Sequence, residues 1–545
     1  MASVAVQADI ELSSLAAPKN ADARITPEPS ASVSSEPPAQ YPSGIKLILI
    51  TIGLVLSIFL SALDTTILAT AIPRITDEFG SIGNIAWYGS AYAITNTAFQ
   101  SSWGKAYNYF NLKYAFLAAI AVFEAGNVIC ATAPSSEALI VGRIVAGVGG
   151  GGIMTGAFII IALTARPEYR AAYMGVLGVT FGVSSVVGPL MGGALTDGPG
   201  WRWCFWVSLP IGFTAALTMF LFLTPPMKPK EASFKERIVQ MDIVGGVLIA
   251  SALSCFVLAM HWSGIYSWSS YRAVLVFVGF IILSGLFIAN EWYMDDKAMV
   301  QRRFFTKPTI LANLVYIFLL AGVYFPLLYT LPVQFQSVYN ASASQSGVRL
   351  IPLVLGISIF TMIANVILTF WRHYKPFLTV GALLSTAGVV AMYTLGPDAS
   401  SGDWIGFELL TAVGVGLALQ IPMIANQAAV SADDIATVTS LSLFCENIGT
   451  TLFVAAGEAA FTQGLMASIS QNVPSVDPHV MLDIGATQVR QVFAGSELQK
   501  VLASYLDGCK ISHIISVACG VGACLVSWGV GLNEVKTKMR KSHRP

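Results

Sequence analysis

The chain has 545 residues, a mean hydropathy of +0.68, 55% hydrophobic residues and 11% charged ones. Water-soluble globular proteins carry roughly 25% charged residues, so this composition excludes an ordinary soluble enzyme. The 30 Lys and Arg residues balance the 30 Asp and Glu residues, and a net charge of zero gives no reason to expect a nucleic acid as partner.

Fourteen apolar runs are each long enough to cross a membrane, because about 20 helical residues at ~1.5 Å per residue span a ~30 Å hydrocarbon core. We therefore predict an all-α membrane protein with 14 transmembrane helices. The runs lie at 45–69, 86–103, 114–133, 138–162, 171–195, 203–223, 242–262, 272–293, 309–331, 348–370, 377–396, 404–424, 437–460 and 511–532. Residues 1–44 are predicted to form a disordered tail without a cleavable signal peptide, and residues 533–545 a basic tail.

Most basic residues lie in the two tails and on alternate connections between the runs, around 105–113, 166–170, 228–237, 297–307 and 372–375. We call the side of the membrane that holds these connections the basic side. The positive-inside rule predicts that it is cytoplasmic and that both termini lie there. Asn340, in the sequon Asn340-Ala341-Ser342, falls on the opposite side and is a predicted glycosylation site. We expect a monomer in the plasma membrane, with a vacuolar or vesicle membrane as the alternative.

Two short glycine patterns indicate an internal repeat. Gly147-Val148-Gly149 in run 4 and Gly414-Val415-Gly416 in run 12 both fall in the fourth run of a half, if the second half begins at run 9. This arrangement predicts two six-helix domains, 45–223 and 309–532, separated by a linker, 224–308, with two inserted helices. In the predicted outer loop 461–510, apolar residues at helical spacing over 489–505 predict an amphipathic helix, either a plain surface helix or one over a pore mouth.

Ionisable residues inside the runs are the candidates for function, since burying a charge in a bilayer is costly unless it is paired or hydrated. Asp64 is either a hydrated interfacial carboxylate or part of a proton-coupling site. Arg143 either ties helices to backbone carbonyls or takes part in proton coupling. Glu446 lies halfway along run 13, where a carboxylate can bind and release a proton. Glu408 and Glu458 lie near the ends of their runs and are expected to be solvated.

Run 5 contains six glycines and Pro189, a composition that suits close packing and a bend inside a membrane bundle. It is either a tightly packed helix or one that rocks between conformations. The pattern Gly147-x-Gly149-x-x-Gly152 in run 4 follows no strand and is interpreted as a packing surface, not a dinucleotide site. The sequence has no phosphate-binding loop for ATP and no predicted metal site. We expect no cofactor, so an ion gradient would drive any pumping.

Several of these motifs together resemble a known family. Gly188-Pro189-Leu-Met-Gly192-Gly193 resembles the antiporter motif of the major facilitator superfamily, to which Gly182 on the same run adds a further small residue. Leu63-Asp64-Thr65-Thr66-Ile67 is similar to the first-helix signature of its fourteen-span drug:proton antiporter branch. Leu139-x-x-x-Arg143-x-x-x-Gly147-x-Gly149 resembles the motif whose Arg is implicated in proton coupling there.

The segment after run 2 resembles the family's gate loop through Gly104, Asn108 and Lys113. Asn108 departs from the superfamily pattern, which has an Asp at this position. The variant is similar to what fungal toxin and multidrug exporters carry.

The resemblance implies a proton-coupled transporter that exports amphipathic small molecules by rocking two domains around a midplane cavity. Proton coupling is then expected at Asp64, Arg143 and Glu446. The residues expected to line the cavity are Trp87, Tyr88, Tyr92, Phe99 and Glu124, although Glu124 could equally pair with a polar neighbour.

Three alternatives remain open at the level of sequence. Fourteen-span carriers that take up iron–siderophore complexes look similar overall, and the motif in run 5 favours export over uptake. A membrane-embedded enzyme acting on lipid would need clustered His or acidic residues at an interface, which the sequence does not show. A channel or receptor would not depend on a proton gradient.

Overall fold

The computed structural model describes residues 41–79, 85–225, 229–266, 270–478, 481 and 489–529. All regular secondary structure in these ranges is helical, which agrees with the predicted all-α class. Fourteen long helices, numbered α1 to α14, match the 14 predicted runs in order. Their bounds are Ile45–Phe79, Ile85–Tyr109, Leu112–Ala131, Ser136–Thr164, Arg170–Asp197, Ser208–Phe222, Ile243–Tyr266, Tyr271–Met294, Pro308–Ser337, Ile351–Trp371, Lys375–Tyr393, Ser401–Ala418, Ile435–Asn472 and Gly495–Gly529.

Shorter helices lie in the connections between these 14, at Trp203–Trp206, Phe234–Gln240, Arg302–Phe305, Ala343–Arg349, Ile421–Ala428 and Val489–Val492. The basic tail predicted at 533–545, and residues 1–40 of the predicted disordered tail, lie outside the described residues.

Within the described ranges, 13 helices are long and apolar enough to cross a membrane, and α2 is the long helix that does not meet this standard. At 25 residues α2 is long enough, but its second half is rich in polar residues. Gln100, Ser101, Ser102 and Lys105, which point in several directions around the helix, are all buried. This polar segment of α2 is therefore enclosed by protein, and a segment shielded from lipid can carry polar side chains.

Close glycine contacts define the packing of the first six helices. Gly149 of α4 packs directly on the Phe123 backbone of α3, and Gly142, earlier on α4, packs on Cys130, later on α3. These two helices therefore run antiparallel with their backbones in contact. Trp103 of α2 donates a hydrogen bond to the Val148 carbonyl of α4 at 2.8 Å. Because Tyr107, one turn further along α2, donates to Gly152 at 2.7 Å, α2 and α4 run parallel.

The second half repeats this packing. Gly414 of α12 lies against Ser385 and Gly381 of α11, just as Gly149 lies against α3. Gly416 lies against Ile357 of α10, as Gly151 lies against Asn96 of α2. Gly149 and Gly414 are therefore equivalent, a shift of two residues from the match expected from the sequence. The two halves consist of α1–α6 and α9–α14, as the predicted fold class requires.

The inserted helices α7 and α8 form a pair beside the two halves. Gly246 of α7 packs on Phe99 of α2, with 3.4 Å between its Cβ position and the ring. On the other half, Gln463 of α13 donates a hydrogen bond to Ser263 of α7 at 3.3 Å. Helix α8 exposes a broad apolar surface that includes Leu275 and Ile288, as expected of a helix that faces lipid. The inserted pair therefore contacts both halves.

The described part of the predicted outer loop 461–510 is mostly helical, because α13 continues to Asn472 and α14 already begins at Gly495. With 38 and 35 residues, both helices are longer than the ~20 residues that cross a bilayer, so they extend beyond it on the side opposite the basic side. The apolar residues of 498–505 belong to the first turns of α14. They pack into a cluster with Leu465, Ile469 and Val489, since the apolar spacing serves contact between α13 and α14 and not a separate surface helix.

Candidate functional site

A buried ion pair joins two helices of the first half. The Arg143 guanidinium of α4 donates a hydrogen bond to the Asp64 carboxylate of α1 at 2.6 Å. Arg143 is 1% exposed and Asp64 is 5% exposed. Asp64 is therefore not a hydrated interfacial carboxylate, and its charge is balanced inside the protein. A bidentate donor such as Arg suits this position, because the guanidinium can serve a second acceptor at the same time.

Helix α2 completes the surroundings of Arg143. The Arg143 Nε donates to the Tyr88 backbone carbonyl at 2.9 Å, and the Tyr92 ring centroid lies 4.5 Å from the guanidinium carbon. The Tyr92 hydroxyl shares a hydrogen bond with Ser61 of α1 at 2.9 Å. Arg143 thus binds a backbone carbonyl, one of the two roles considered for it from the sequence. Its part in proton coupling stays a prediction. A change in the charge of Asp64 would therefore alter the contacts that join α1, α2 and α4.

Glu446 lies on α13 of the second half and is partly buried. The Tyr324 hydroxyl of α9 donates to its carboxylate at 3.4 Å, a long hydrogen bond. The next residue, Asn447, donates to Gln100 of α2 at 2.8 Å. Glu446 is therefore one residue from a contact between the two halves, whereas the Asp64–Arg143 pair lies inside the first half. The structure does not bring these two candidate proton sites into contact.

The residues expected to line a cavity occupy several environments. Tyr88 is 0% exposed and shares a hydrogen bond with Ser136 at 2.8 Å, so it presents no surface to a cavity in this conformation. Tyr92 is buried against Arg143. Phe99 packs on the inserted helix α7. Trp87 is half-buried. For Trp87, a position on the cavity wall stays a prediction.

Glu124 pairs with a polar neighbour, one of the two alternatives considered for it. Ser208 of α6 donates to its carboxylate at 3.0 Å, and Gly212 of α6 packs directly against the same group. A side chain at Gly212 would occupy the space of the carboxylate. This contact lies between α3 and α6 of the first half. A position of Glu124 on the cavity wall stays a prediction.

The small residues of α5 face two different helices. Gly182 packs against Ser358 of α10, in the second half, whereas Gly188 packs against Thr66 of α1. Gly192 also faces α1, through Thr70 and the Ile67 carbonyl. Nothing lies within 4 Å of a Cβ built on Gly193, and Pro189 is exposed within the uninterrupted helix. Helix α5 therefore lies between its own half and the other half.

The predicted gate loop contacts the second half on the basic side. Gly104 packs against Ser440 of α13, and the Asn108 amide donates to the Thr437 hydroxyl at 2.9 Å. Lys113 lies over the Phe220 ring at 4.8 Å, within the first half. Asn108, which departs from the family pattern, thus makes an uncharged hydrogen bond between the halves.

The polar residues of α10 were missed by the sequence reasoning. Asn365 donates to Gln420 at 2.7 Å and lies 3.2 Å from a Cβ built on Gly175 of α5; Thr361 and Ser358 face Gly178 and Gly182. The signal was present in the sequence, because these three residues recur at intervals of three and four on an apolar helix. Together they line the contact between α5 and α10.

Glu408 is buried, whereas Glu458 and Asn340 are exposed. Glu408 was expected to be solvated, but it is 1% exposed, because the part of α12 that carries it is enclosed by its neighbours. Glu458 is exposed. Asn340 is exposed, in a left-handed backbone conformation with φ 54°, before a short helix that Ser342 caps. Glycosylation at Asn340 stays a prediction.

Two related six-helix halves that meet along α2–α13 and α5–α10 define a membrane protein of transporter architecture. The family described as the Major Facilitator Superfamily matches residues 54–454. The chain therefore belongs to the Major Facilitator Superfamily.

Curated relatives match nearly the whole chain. The MFS-type transporter GME11371 of Pestalotiopsis microspora is 39% identical over 485 residues, which cover 88% of this chain and 89% of the relative. The probable efflux pump gsfJ of Penicillium aethiopicum is 38% identical and covers 90% of this chain and 88% of its own length. The aspyridones efflux protein of Neocamarosporium betae is 37% identical, with coverage of 92% and 90%.

Solved structures share the fold at low sequence identity. The human organic anion transporter MFSD10 superimposes with a TM-score of 0.58 at 14% identity, over 89% of this chain and all of the other. The proton:xylose symporter XylE also superimposes with a TM-score of 0.58 at 14% identity, over 90% of this chain and 98% of the other. These likenesses show the fold alone.

Proposed function

We propose that this protein exports amphipathic small molecules, such as secondary metabolites or toxins, across the plasma membrane in exchange for protons. The relatives named as efflux pumps support export, since they match this chain over most of its length. Uptake of siderophore–iron complexes is disfavoured, because none of the relatives reported above carries such a name.

The observation that carries the proton-coupling part is the buried pair of Asp64 and Arg143. An ion pair removed from water gains little net stability over apolar residues of the same size. Apolar side chains could join the same helices without buried charges. The presence of a charged pair here therefore favours a functional role. Protonation of Asp64 would release Arg143 and change how α1, α2 and α4 are joined. Glu446 is the second candidate, beside the contact between halves.

The contacts between the halves support alternating access. Along α2 and α13, Gln100, Gly104 and Asn108 meet the second half from the middle of the membrane to the basic side. Along α5 and α10, Gly175, Gly178 and Gly182 do the same. We interpret this as a conformation closed on the basic side. Export then requires these two helix pairs to separate, so that a substrate can enter from the cytoplasm.

The substrate can be identified by deletion. Cells that lack the protein should retain a compound that wild-type cells release, detected by comparing extracts of cells and medium by mass spectrometry. The compound found in this way is then offered to proteoliposomes containing the purified protein and a pH-sensitive dye. Substrate movement accompanied by opposite proton movement is the expected result. Substrate movement that continues unchanged in the presence of a protonophore and without a pH gradient would contradict proton exchange.

A further inference from the structure

Glu408 is a buried acid that forms no ion pair with any residue the structure describes. It lies seven residues after the first residue of α12, Ser401, which corresponds to about 10 Å along the helix axis. Neither carboxylate oxygen completes a hydrogen bond of ordinary geometry with a described residue. The Leu353 backbone, in the first turn of α10, lies beside the carboxyl group. A buried polar group left in this state needs a physical explanation.

In the internal repeat, Glu408 of the second half occupies the position equivalent to Arg143 of the first half. Gly149 and Gly414 are equivalent, because each packs on the matching residues of the neighbouring helix. Counting back six residues from each glycine leads to Arg143 in the first half and to Glu408 in the second. The two side chains also serve equivalent helices, since Arg143 binds the backbone of α2 and Glu408 lies beside the backbone of α10.

The partner of Arg143 has no charged equivalent in the second half. Gly192 of α5 packs on Ile67 of α1, and Gly457 of α13 lies with its Cβ position 3.3 Å from the Pro326 side chain of α9. The residues eight positions before these two glycines are Ser184 and Gly449. Ser184 donates a hydrogen bond to the Phe59 carbonyl, and Gly449 packs on the Phe318 carbonyl. This register aligns Asp64 with Val323, which is buried. The second half therefore carries one buried acid where the first half carries an acid and a base.

The charged side chains near this end of α12 are engaged elsewhere. Arg349, before α10, lies over the Trp404 ring at 5.7 Å, one turn further out than Glu408. Asp403 accepts hydrogen bonds from the Ser400 backbone amide and hydroxyl at 2.9 and 2.8 Å. Arg372 and Lys375 lie at the basic side, at the ends of α10 and α11 that are farthest from Glu408. None of these groups neutralises Glu408 in the structure.

We propose that Glu408 is a second proton-binding site of this chain, acting on α10 as the Asp64–Arg143 pair acts on α2. A bound proton supplies the neutrality that no side chain provides, and it allows α10 and α12 to pack as closely as they do at Gly356 and Ala412. Release of the proton requires water at the carboxylate and thus a movement of α10. Because α10 carries Ser358 and Asn365, this movement opens its contact with α5. The inference rests on the proposed proton exchange.

Proton binding can be measured without knowing the exported compound. The probe is the proton itself, supplied by stepping the pH over purified full-length protein in lipid, with the C=O stretch of buried protonated carboxyl groups read by infrared difference spectroscopy. The Glu408→Gln spectrum should lack one carboxyl band that wild type shows. Glu458→Gln is the matched control, an exposed acid in a membrane helix, and should keep that band.

A wild-type carboxyl spectrum in Glu408→Gln would overturn the inference. If Glu408→Gln does not fold, judged by elution and circular dichroism, Glu408→Asp replaces it, since this variant keeps a carboxyl group one methylene shorter. Its band should then shift, and an unshifted band would equally overturn the inference. The wild-type proteoliposome assay tests the proposed function separately: proton exchange in wild type with an unchanged Glu408→Gln spectrum rejects only the role of Glu408.

Discussion

Arg143 and Asp64 form a buried ion pair at 2.6 Å, and the same guanidinium binds the backbone of a third helix through Tyr88. The pair is thus both a structural joint and the main candidate for proton coupling. These two roles make different demands on the side chains, and substitutions can separate them.

Removing one member of the pair should be more harmful to stability than removing both. Arg143→Ala leaves the Asp64 carboxylate buried without its cation, which costs about 3–5 kcal/mol when a buried pair is broken. The double variant Asp64→Asn with Arg143→Gln leaves no buried charge and should recover much of that loss. Thermal unfolding in detergent measures the difference.

Transport should not follow stability in these variants. Both Arg143→Ala and the stable double variant should lose proton-coupled export by at least about tenfold, a barrier change of roughly 1.4 kcal/mol. Proteoliposomes with the identified substrate measure the rate. Normal coupling in the double variant would mean that the pair is a structural joint alone.

Gly182 should be sensitive to a single added methyl group. A Cβ at this position would overlap Ser358 of α10, with its Cβ only 2.7 Å away, and overpacking of this kind costs about 1–3 kcal/mol. Gly182→Ala should therefore weaken closure on the basic side and slow export by tenfold or more. Gly285→Ala, on the inserted helix α8 with nothing within 4 Å of its Cβ position, is the control and should remain within twofold of wild type. Adding Ser358→Gly to Gly182→Ala should restore part of the rate; no recovery would contradict the overlap.

Asn108 and Thr437 should crosslink when replaced by cysteines. Their side chains meet at 2.9 Å between the two halves, so a disulfide would hold the basic side closed. Export should stop on oxidation and return on reduction, as measured in the same proteoliposomes. The pair Lys113→Cys with Thr437→Cys serves as the control, because Lys113 packs within its own half. An oxidised Asn108–Thr437 crosslink that leaves export intact would exclude separation of α2 from α13.

Substitution of Glu446 should impair proton-coupled export more than substitution of Tyr324. The hydrogen bond between them is long, at 3.4 Å, and therefore weak. Tyr324→Phe should keep export within about threefold, since a hydrogen bond of this kind contributes about 0.5 kcal/mol. Glu446→Gln removes a titratable group and should abolish the dependence of export on the pH gradient. Equal effects of both substitutions would indicate that the contact, and not the proton, matters.

Acid should destabilise the first half, through Glu78, at the end opposite the basic side. Trp201 donates to this carboxylate at 2.7 Å and Arg202 at 2.8 Å, and these two contacts, Trp201 first, lower the pKa of Glu78 below its usual 4.5. The folded state therefore gains stability above about pH 4.5, and the gain disappears as the pH falls through the lowered pKa. Because the carboxylate is mostly exposed, the gain is about 0.2–1 kcal/mol.

The comparison of wild type with Glu78→Gln tests this dependence on pH. Melting temperatures should differ slightly at pH 7, with wild type higher, and should converge near pH 3. A difference between wild type and Glu78→Gln that grows on acidification would contradict the assigned contacts.

Patterns within single helices proved reliable in the sequence. All 14 runs correspond to helices, because a segment in lipid must satisfy its own backbone hydrogen bonds and therefore shows its length and hydropathy directly. Hydropathy did not show where α13 and α14 end, because both helices continue past the bilayer and pack against each other there. Apolar residues at helical spacing indicate a helix but do not show which element that helix packs against.

What the sequence determined by itself was the membrane class, the number and order of the helices and the short list of intramembrane charges. Only the tertiary structure decided how those charges are used: Asp64 with Arg143, Glu124 with Ser208, and Glu408 beside the Leu353 backbone without an ion pair to any described residue. It also decided that the small residues of α5 serve two different neighbours. The physical reason is that pairing depends on which helices lie side by side, and residues 79 positions apart, such as Asp64 and Arg143, carry no local signal of their contact.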